Sequence, residues 1–412
     1  MVSHLYGTGG YLTKRLLLAA AAAALALLAG EAVLRLSCPS IRRPFLLMAV
    51  MESERGKFCV YDPSLGWTGK PGAAGDFSHL DCRHRVGHNK YGFRGAEYGF
   101  ARTARKRVAV LGDSFVWGFG VEDEDVFTSV IEREGGSSPE MVNLGVSGYG
   151  TDQEYLLWRS LGRRFEPDEV LLAVVPHNDL RENAGAEAYG CPKPVIIPDK
   201  SGGIRSIQRP APRRGISAGP AGIPPFAEEI IGGRHPAARL AARSALVSAA
   251  LVALSRHEVL RVAMEERRML IPRKYMTLPS PNVYLDPSSA PVCAADWERL
   301  FGLIDAFRSD VLESGAKFRL LIVPSIVQVY PELWEEFIRT APLPSAEARW
   351  APEVPNRLIK AYCEEHRVPL TDPLPALRLA ARRNAFLYFP LNNHWTAEAH
   401  RIAARELIKD MR

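Results

Sequence analysis

Residues 106–118 read KRVAVLGDSFVWG, a short apolar run at Arg107–Leu111 followed by a tight Gly-Asp-Ser turn. An apolar run of about four to eight residues between turn residues is typical of a buried strand. Four further runs of this kind follow along the chain. The predicted strands are Arg107–Leu111, Met141–Val146, Glu169–Pro176, Lys317–Pro324 and Val368–Asp372. Strands that alternate with helices predict an α/β fold, here one doubly wound, five-stranded parallel sheet.

Helical segments flank these strands. Their apolar positions recur with the spacing of a helix that buries one face. The predicted helices are Asp123–Glu134, Asp152–Leu161, Ala295–Glu313, Glu353–His366 and Ala397–Lys409.

A long interruption, Asp179–Pro291, separates the third strand from the fourth. It far exceeds the usual α/β connection of about two to six residues, so we interpret it as an insertion. Its first half is rich in Pro, Gly and Arg and is predicted to be flexible. Its second half, His235–Met269, is rich in Ala, Leu and Val with recurring Arg. This half fits a helical cap, a membrane-surface helix or a plain pair of packing helices.

The amino terminus carries a membrane-targeting segment. Lys14 and Arg15 precede an apolar run at Leu16–Gly30, which continues to Leu36 with two charged interruptions. No clear cleavage site follows, so we expect a signal anchor over residues 1–36, with a cleaved signal peptide as the alternative. The basic flank stays in the cytoplasm. This predicts a single-pass inner-membrane protein whose remaining chain lies on the periplasmic or extracytoplasmic side.

The composition of the 412 residues is that of a folded chain, with 47% apolar and 24% charged residues. The net charge of +6 does not indicate nucleic-acid binding, because much of the Arg excess falls in the insertion. We expect three regions: the anchor 1–36, a wrapped, irregular arm 37–105 and an α/β domain 106–412 with insertion 179–291.

Metal and cofactor signals are weak. The six cysteines show no CxxC spacing, and Cys59 with Cys82 is the pair most worth testing for a disulfide. Asp81, Cys82, His84 and His88 are residue types that bind metals, but they lack a recognised metal-site spacing and lie in a polar loop. The glycines of 145–150 follow the order GxxGxG, which is not the dinucleotide fingerprint. No metal or cofactor is therefore predicted.

Four polar or glycine positions fall at strand or helix junctions. Ser114 follows the first strand, Gly148 lies in the Gly-rich turn after the second, and Asn178 follows the third. His394 precedes the last helix. Because ligands bind at the carboxyl edge of an open parallel sheet, these residues are candidates for one site.

The chain resembles the SGNH (GDSL-like) hydrolase superfamily, whose four blocks carry Ser, Gly, Asn and His. These match Ser114, Gly148, Asn178 and His394. The segments YDPSLGW (61–67), HNKYGFRG (88–95), VLGDSFVWGFGV (110–121), VNLGVSGYGTDQEY (142–155) and NNHWTAEAH (392–400) are similar to its membrane-anchored bacterial branch.

The resemblance implies a flavodoxin-like α/β/α sandwich and ester hydrolysis or acyl transfer, often on cell-envelope carbohydrate. His394 would deprotonate Ser114, which would attack an ester carbonyl and form an acyl-enzyme. The Ser114 and Gly148 backbone N–H groups and the Asn178 side chain would form the oxyanion hole.

One position departs from the family pattern. The family places an aspartate two or three residues before the histidine, but Asn392 and Leu391 occupy these positions. Three interpretations follow: Asp372, at the end of the fifth strand, supplies the carboxylate; a Ser-His dyad suffices; or the domain is catalytically impaired and only binds. Asp113 is expected to be a turn carboxylate that caps local N–H groups.

Two residues outside the blocks are assigned structural positions. Arg94 is expected to clamp the arm, and His400 to lie on the surface of the last helix.

These observations predict an envelope-facing serine esterase acting on an acylated carbohydrate or a small ester. The alternatives are an O-acyltransferase of envelope polysaccharide, with a sugar hydroxyl in place of water, and an impaired carbohydrate-binding protein. Neither the acyl group nor the oligomeric state follows from the sequence.

Overall fold

The computed structural model describes residues 8–37, 56–79, 82–136, 139–188, 191–199, 203–209, 240, 243–254, 260, 281–340, 348–383, 385–389 and 392–411. Backbone contacts divide the chain into two units, residues 1–52 with 227–276, and residues 53–226 with 277–412. We call them the small unit and the sheet unit.

The strands of the sheet unit, in chain order, are β1 (Cys59–Asp62), β2 (Gly66–Gly69), β3 (Ala74–His79), β4 (Cys82–Gly87), β5 (Arg107–Leu111), β6 (Glu140–Asn143), β7 (Glu169–Val174), β8 (Glu187–Ala188), β9 (Cys191–Pro192), β10 (Val195–Pro198), β11 (Ile204–Gln208), β12 (Lys317–Ile322) and β13 (Leu370–Thr371).

The described helices, again in chain order, are α1 (Thr8–Ser37), α2 (Ser114–Trp117), α3 (Phe127–Glu134), α4 (Thr151–Ser160), α5 (Pro176–Glu182), α6 (Ala245–Leu254), α7 (Ala294–Glu313), α8 (Ile326–Val329), α9 (Pro331–Thr340), α10 (Val354–His366), α11 (Leu374–Ala381) and α12 (Ala397–Asp410). Of these, α1 and α6 belong to the small unit.

The central sheet contains the five predicted strands in the order β6-β5-β7-β12-β13, and every neighbouring pair is parallel. Numbered along the chain, this order is 2-1-3-4-5, which is the flavodoxin-like arrangement. The predicted α/β fold is confirmed. Strands β6 and β7 end at Asn143 and Val174, earlier than predicted, because the residues that follow turn away from the sheet edge and carry part of the site.

Helices cover both faces of the sheet. On one face, Val108 and Leu321 share a buried cluster with Phe127 of α3, Leu377 of α11 and Leu407 of α12. On the other face, α4 and α7 pack together and α7 packs on β12, where the Phe307 and Phe318 rings meet. Successive residues of a strand point to opposite faces, and because both faces are covered, most positions of these strands are apolar.

His400 was predicted to be exposed, and this prediction is wrong. The residue is 1% exposed because α12 packs on α3 along this face. Its Nδ1 accepts a hydrogen bond from the Phe127 N–H at 3.3 Å, which satisfies one of the unpaired donors at the start of α3. Burial lowers the pKa of His400 to about 3, so the ring is neutral and able to accept.

The arm was predicted to be irregular, but its residues 59–87 form two antiparallel hairpins, β1–β2 and β3–β4. Arg94, which is 1% exposed, fastens the arm to the turn after α2. Its guanidinium donates to the carbonyls of Gly118 and Val121 and pairs with Asp123. Arg94 therefore has the clamping position that the sequence predicts.

The first half of the insertion differs from its predicted form, because it contains the ribbons β8–β9 and β10–β11. The second half contains helix α6, in agreement with its predicted helical character. Residues 210–239 and 261–280, which include most of the segment predicted to be flexible, lie outside the described residues.

In the small unit, α1 contains the one described helix segment, Arg15–Ser37, that is long and apolar enough to cross a membrane. Its leucines are well exposed, with Leu25 at 67% and Leu28 at 66%. The apolar segment of a signal sequence can have this length and composition as well.

Candidate functional site

Ser114 stands at the carboxyl edge of the sheet, as the first residue of α2. The Asp113 carboxylate caps this helix by accepting from the Phe115 N–H at 2.9 Å, as predicted for a turn carboxylate. The next turn packs closely on α2, since a Cβ at Gly145 would lie 2.3 Å from the Trp117 nitrogen. Only glycine permits this approach, which brings the two loops of the sheet edge together.

His394 reaches back to the serine from the loop before α12. Its Nε2 lies 2.6 Å from Ser114 Oγ, and its Nδ1 lies 3.1 Å from Asn392 Oδ1. Ser114 is 5% exposed and Asn392 4% exposed, so this chain of three polar groups is largely shielded from solvent. The structure thus brings Asn392 and His394 to Ser114, which is 280 positions from His394 in the sequence.

The orientation of the Asn392 amide is set by the backbone. Asn392 Oδ1 accepts a hydrogen bond from the His394 N–H at 2.8 Å, and a backbone N–H is always a donor. The amide oxygen, not its NH₂ group, therefore faces His394 Nδ1. In the neutral imidazole the proton then belongs on Nδ1, and the lone pair of Nε2 points at the serine hydroxyl.

Two phenylalanines hold the imidazole ring. The Phe119 ring stacks on His394 at 4.2 Å between centroids with an interplanar angle of 17°. The Phe115 ring lies at 5.0 Å. Phe119 is itself packed against Phe77 and Trp117, within a buried cluster built largely by the arm. The orientation of the His394 ring is thus fixed by the phenylalanine on its face and by the contact of Asn392 with its Nδ1.

The oxyanion-hole candidates lie on the other loops of the same edge. Gly148 has φ of +83°, a conformation that glycine adopts readily. Within the described part of the chain its N–H has no hydrogen-bond acceptor. Asn178 lies in the first turn of α5 and donates one Nδ2 hydrogen to Asp113 Oδ2 at 2.7 Å. The second hydrogen of that group is a further donor.

Asp113 therefore has two partners, one in its own turn and one in the Asn178 side chain. Burial raises the pKa of Asp113 to about 6, while these hydrogen bonds oppose the increase. The carboxylate is ionised above this pH and then accepts from Asn178 most strongly.

Asp372 does not contact His394. Its Oδ1 accepts from Asn356 Nδ2 at 2.8 Å and from the Leu374 N–H at 3.0 Å, at the start of α11. The Nδ1 side of His394 is instead occupied by Asn392. The hypothesis that Asp372 supplies the triad carboxylate does not fit this geometry, because the fifth strand ends on the far side of β12 from the serine.

The arm contributes contacts that the sequence reasoning missed. Trp67 Nε1 donates to the Ser147 carbonyl at 3.1 Å, and the Tyr149 hydroxyl donates back to the Trp67 carbonyl. Asn392 Nδ2 lies 3.6 Å from Cys82 Sγ on β4. The clustering of aromatic and glycine residues in 58–93 was the available signal, but nothing in the sequence indicates which loop each one supports.

The cysteine and histidine residues of the arm occupy structural positions. Cys59 and Cys82 are free thiols. His84 and His88 pack among aromatic rings, and His88 Nε2 accepts from Trp117 Nε1 at 2.9 Å. Asp81 lies outside the described residues, among which no group of three or more His, Cys, Asp or Glu side chains is arranged to hold a metal.

No protein-family model and no curated protein matches this sequence. Solved structures similar to the chain include a member of the lipolytic protein G-D-S-L family from Veillonella parvula, at 8% identity, 74% of this chain, 97% of that chain and a TM-score of 0.36. A catalytic mutant of the acetylxylan esterase Axe2 from Geobacillus stearothermophilus matches at 11% identity, 74% and 94% coverage and a TM-score of 0.34. The α/β hydrolase LAE5 from the metagenome of Lake Arreo matches at 12% identity, 76% and 97% coverage and a TM-score of 0.36. The strand order 2-1-3-4-5 by itself places this chain in the flavodoxin-like α/β class.

Proposed function

We propose that this protein is an SGNH-type serine esterase that acts through an acyl-enzyme. The observation that carries the proposal is the contact of 2.6 Å between Ser114 Oγ and His394 Nε2, with the Asn392 amide oxygen behind the ring. A hydroxyl, a base and a group that orients the base, each within hydrogen-bond reach of the next, form the arrangement of an activated nucleophile.

In the first step, His394 Nε2 takes the proton of Ser114 while Oγ bonds to the ester carbonyl carbon. The tetrahedral intermediate collapses as the carbon–oxygen bond to the alcohol breaks, and the protonated imidazole returns its proton to the departing oxygen. Water then attacks the acyl-enzyme by the same route in reverse. The acid is released and the Ser114 hydroxyl is restored.

The negative charge of each tetrahedral intermediate is placed on the former carbonyl oxygen. The Ser114 N–H, the Gly148 N–H and Asn178 Nδ2 are the proposed donors to that oxygen. Asp113 positions Asn178 by accepting one of its two amide hydrogens, and the other remains available as a donor. Donors fixed before the reaction need no reorganisation when the charge develops.

The proposed substrate class is an O-acylated carbohydrate or another ester of the cell envelope. This class follows from the resemblance of the sequence motifs to the membrane-anchored SGNH branch. We further propose that α1 anchors the chain in the inner membrane, because its apolar span is flanked by Lys14 and Arg15 on the amino-terminal side. The sheet unit would then lie outside the cytoplasm.

Labelling by a fluorophosphonate tests the nucleophile directly. The full chain in detergent is treated with the probe, and the adduct is mapped by mass spectrometry. We expect an adduct on Ser114 that is absent in Ser114→Ala and strongly slowed in His394→Ala. Ser64→Ala and His366→Ala, which change exposed or half-exposed residues away from the site, should label at the normal rate.

The alternative of an impaired binding protein is favoured by one observation, the neutral amide at Asn392. It predicts no adduct in the folded chain, and such a result would overturn the esterase proposal. If Ser114 reacts, mass spectrometry of products formed from an acetylated oligosaccharide, with and without a second sugar as acceptor, distinguishes hydrolysis from acyl transfer.

A further inference from the structure

The insertion contains an apolar helix that the catalytic site does not use. Helix α6 reads ALVSAALVAL and has no charged residue in its ten positions. It lies in the small unit with α1, and the two helices pack against each other. Two helices distant in sequence thus form one local structure.

A carboxylate of α1 caps the start of α6. Glu31 accepts hydrogen bonds from Ser244 Oγ at 2.8 Å, from the Ala245 N–H at 2.8 Å and from the Leu246 N–H at 3.0 Å. The first N–H groups of a helix have no partner within the helix, and its amino terminus favours a negative charge. Glu31 also pairs with Arg35 at 2.7 Å, so the charge is compensated from both sides.

The contacts define the relative direction of the two helices. Arg35 donates to the Arg243 carbonyl at 2.6 Å, whereas Gly30 faces Leu246, whose Cδ2 would lie 3.5 Å from a Cβ at that glycine. As the insertion advances from 243 to 246, its partners on α1 go back from 35 to 30. Helix α6 therefore runs antiparallel to α1, from the carboxyl end of α1 toward its middle.

This direction sets the depth at which α6 would lie. The segment Arg15–Ser37 has 23 residues and spans about 35 Å, slightly more than the hydrocarbon thickness of about 30 Å. Glu31 and Arg35 fall near its outer end. Ten residues of α6 extend about 15 Å, which is half of that thickness.

The exposed apolar side chains of both helices suit a lipid environment: Leu27 is 62% exposed, Leu28 66% and Leu254 47%. An ionised glutamate in a membrane segment is tolerated when it is paired and hydrogen-bonded, as Glu31 is here. The helices meet at Gly30 in ordinary van der Waals contact, since a Cβ there would lie 3.5 Å from Leu246 Cδ2.

We propose that α6 is a half-membrane helix, which enters the bilayer from the outer side, packs along α1 and is capped there by Glu31. The partner of its exposed face is the acyl chains of phospholipids. The insertion would then give the protein a second attachment to the membrane. This inference requires α1 to span the bilayer but does not depend on the proposed esterase activity.

The depth of a spin label tests the proposal. Ala250, which is exposed on α6, is replaced by cysteine in the full chain, with Cys38 and Cys82 replaced by serine. The nitroxide-labelled protein is reconstituted into phosphatidylethanolamine–phosphatidylglycerol vesicles. Its accessibility to oxygen and to a water-soluble nickel complex is compared with labels at Leu25 of α1 and at the exposed Glu365 of α10.

We expect the label at Ala250→Cys to resemble that at Leu25→Cys, with high oxygen and low nickel accessibility. Nickel accessibility equal to that at Glu365→Cys would overturn the proposal. The variant Glu31→Leu should raise nickel accessibility at position 250 at least several-fold, whereas Glu313→Leu, on the exposed end of α7, should not. An unchanged label depth in Glu31→Leu would refute the capping role.

A cross-link gives a second readout, which reports the contact between α6 and α1 and does not depend on the depth of α6 in the bilayer. Gly30→Cys and Leu246→Cys, combined in one chain, should form a disulfide on mild oxidation, seen as the loss of two thiols reactive with maleimide. Absence of the cross-link would contradict the packing of α6 on α1. Neither readout uses Ser114, so a failure of the esterase proposal and a failure of this one are distinguished.

Discussion

At the scale of single residues, the neutral Asn392 is the feature that most affects the chemistry. In a serine protease, replacing the triad aspartate by asparagine lowers the rate about 10⁴-fold because the histidine takes the wrong tautomer. Here the His394 N–H holds the amide oxygen toward Nδ1, at 2.8 Å from the backbone donor. The tautomer is then correct, and the missing element is only the negative charge that would stabilise the imidazolium.

Replacing Asn392 by Asp should restore that charge. A carboxylate beside the ring stabilises the imidazolium that forms when His394 takes the serine proton. The rate at which Ser114 is labelled at neutral pH should therefore increase about tenfold, which corresponds to about 1.4 kcal/mol.

The measurement is the rate of fluorophosphonate labelling, with Asn282→Asp as a control for a carboxylate added at a half-exposed position of the sheet unit. A labelling rate of Asn392→Asp equal to that of the wild type would contradict the assigned role of Asn392.

Asn178 gives a second residue-level prediction. Its amide is the proposed side-chain donor to the oxyanion, and loss of one such donor costs about 10² to 10³ in rate. Asn178→Ala should therefore lower kcat of ester hydrolysis by this factor with a small change in KM. Steady-state kinetics on a chromogenic acetate ester provides the measurement, and Asn282→Ala is the control. A tenfold rise in KM at constant kcat would instead assign Asn178 to substrate binding.

At the scale of elements, the arm is part of the site. Hairpin β1–β2 contacts the Gly-rich turn through Trp67, and β4 contacts Asn392 through Cys82. Hairpin β3–β4 also packs Phe77 against Phe119, the ring that stacks on His394. The loops at the sheet edge are positioned by the elements that pack on them, and in this protein the arm is one of those elements.

Phe119 should stabilise the charged form of His394. A cation over an aromatic face gains about 0.5 to 2 kcal/mol. In Phe119→Leu the imidazolium that forms during the reaction loses this contact, so the labelling rate of Ser114 should drop about threefold to tenfold. Phe119→Tyr keeps a ring in place and should retain most of the rate, whereas equal losses in the Leu and Tyr variants would argue against an effect of the ring face.

At the scale of the whole molecule, the chain separates into a sheet unit that carries the candidate site and a small unit that carries α1 and α6. The insertion leaves the sheet after α5 and returns before α7, so its route passes through both units. Long insertions in α/β domains are tolerated because the entropy of closing a loop grows slowly with its length.

Extraction of membranes with alkaline carbonate tests the attachment. If α1 is an uncleaved anchor, the full chain should remain in the pellet, and amino-terminal sequencing should recover the residues before Leu16. A chain lacking residues 1–37 should lose most of its membrane association. Recovery of a soluble form that begins after Ser37 would identify a cleaved signal peptide instead.

The sequence by itself determined the sheet and most of the site. Five apolar runs, separated by helical periodicity, predicted the parallel sheet, since burial on both faces requires strands that are apolar throughout. Ser114 and Asn178 follow strands directly, so their position at the carboxyl edge follows from the direction of the chain. The hairpins of the arm did not follow, because short strands with alternating polarity resemble loops. The burial of His400 did not follow either, because it depends on the packing of α12 on α3.

Only the tertiary structure decided which groups meet across large separations in sequence. Local patterns carry no information on the partner of His394, so the sequence allows either Asp372 or Asn392 as the group beside Nδ1. The structure places Asn392 there, through the loop before α12. The same holds for Phe119 on His394 and for Glu31 at the start of α6. Periodicity reports which face of an element is buried, whereas the identity of the neighbour depends on how the elements pack in three dimensions.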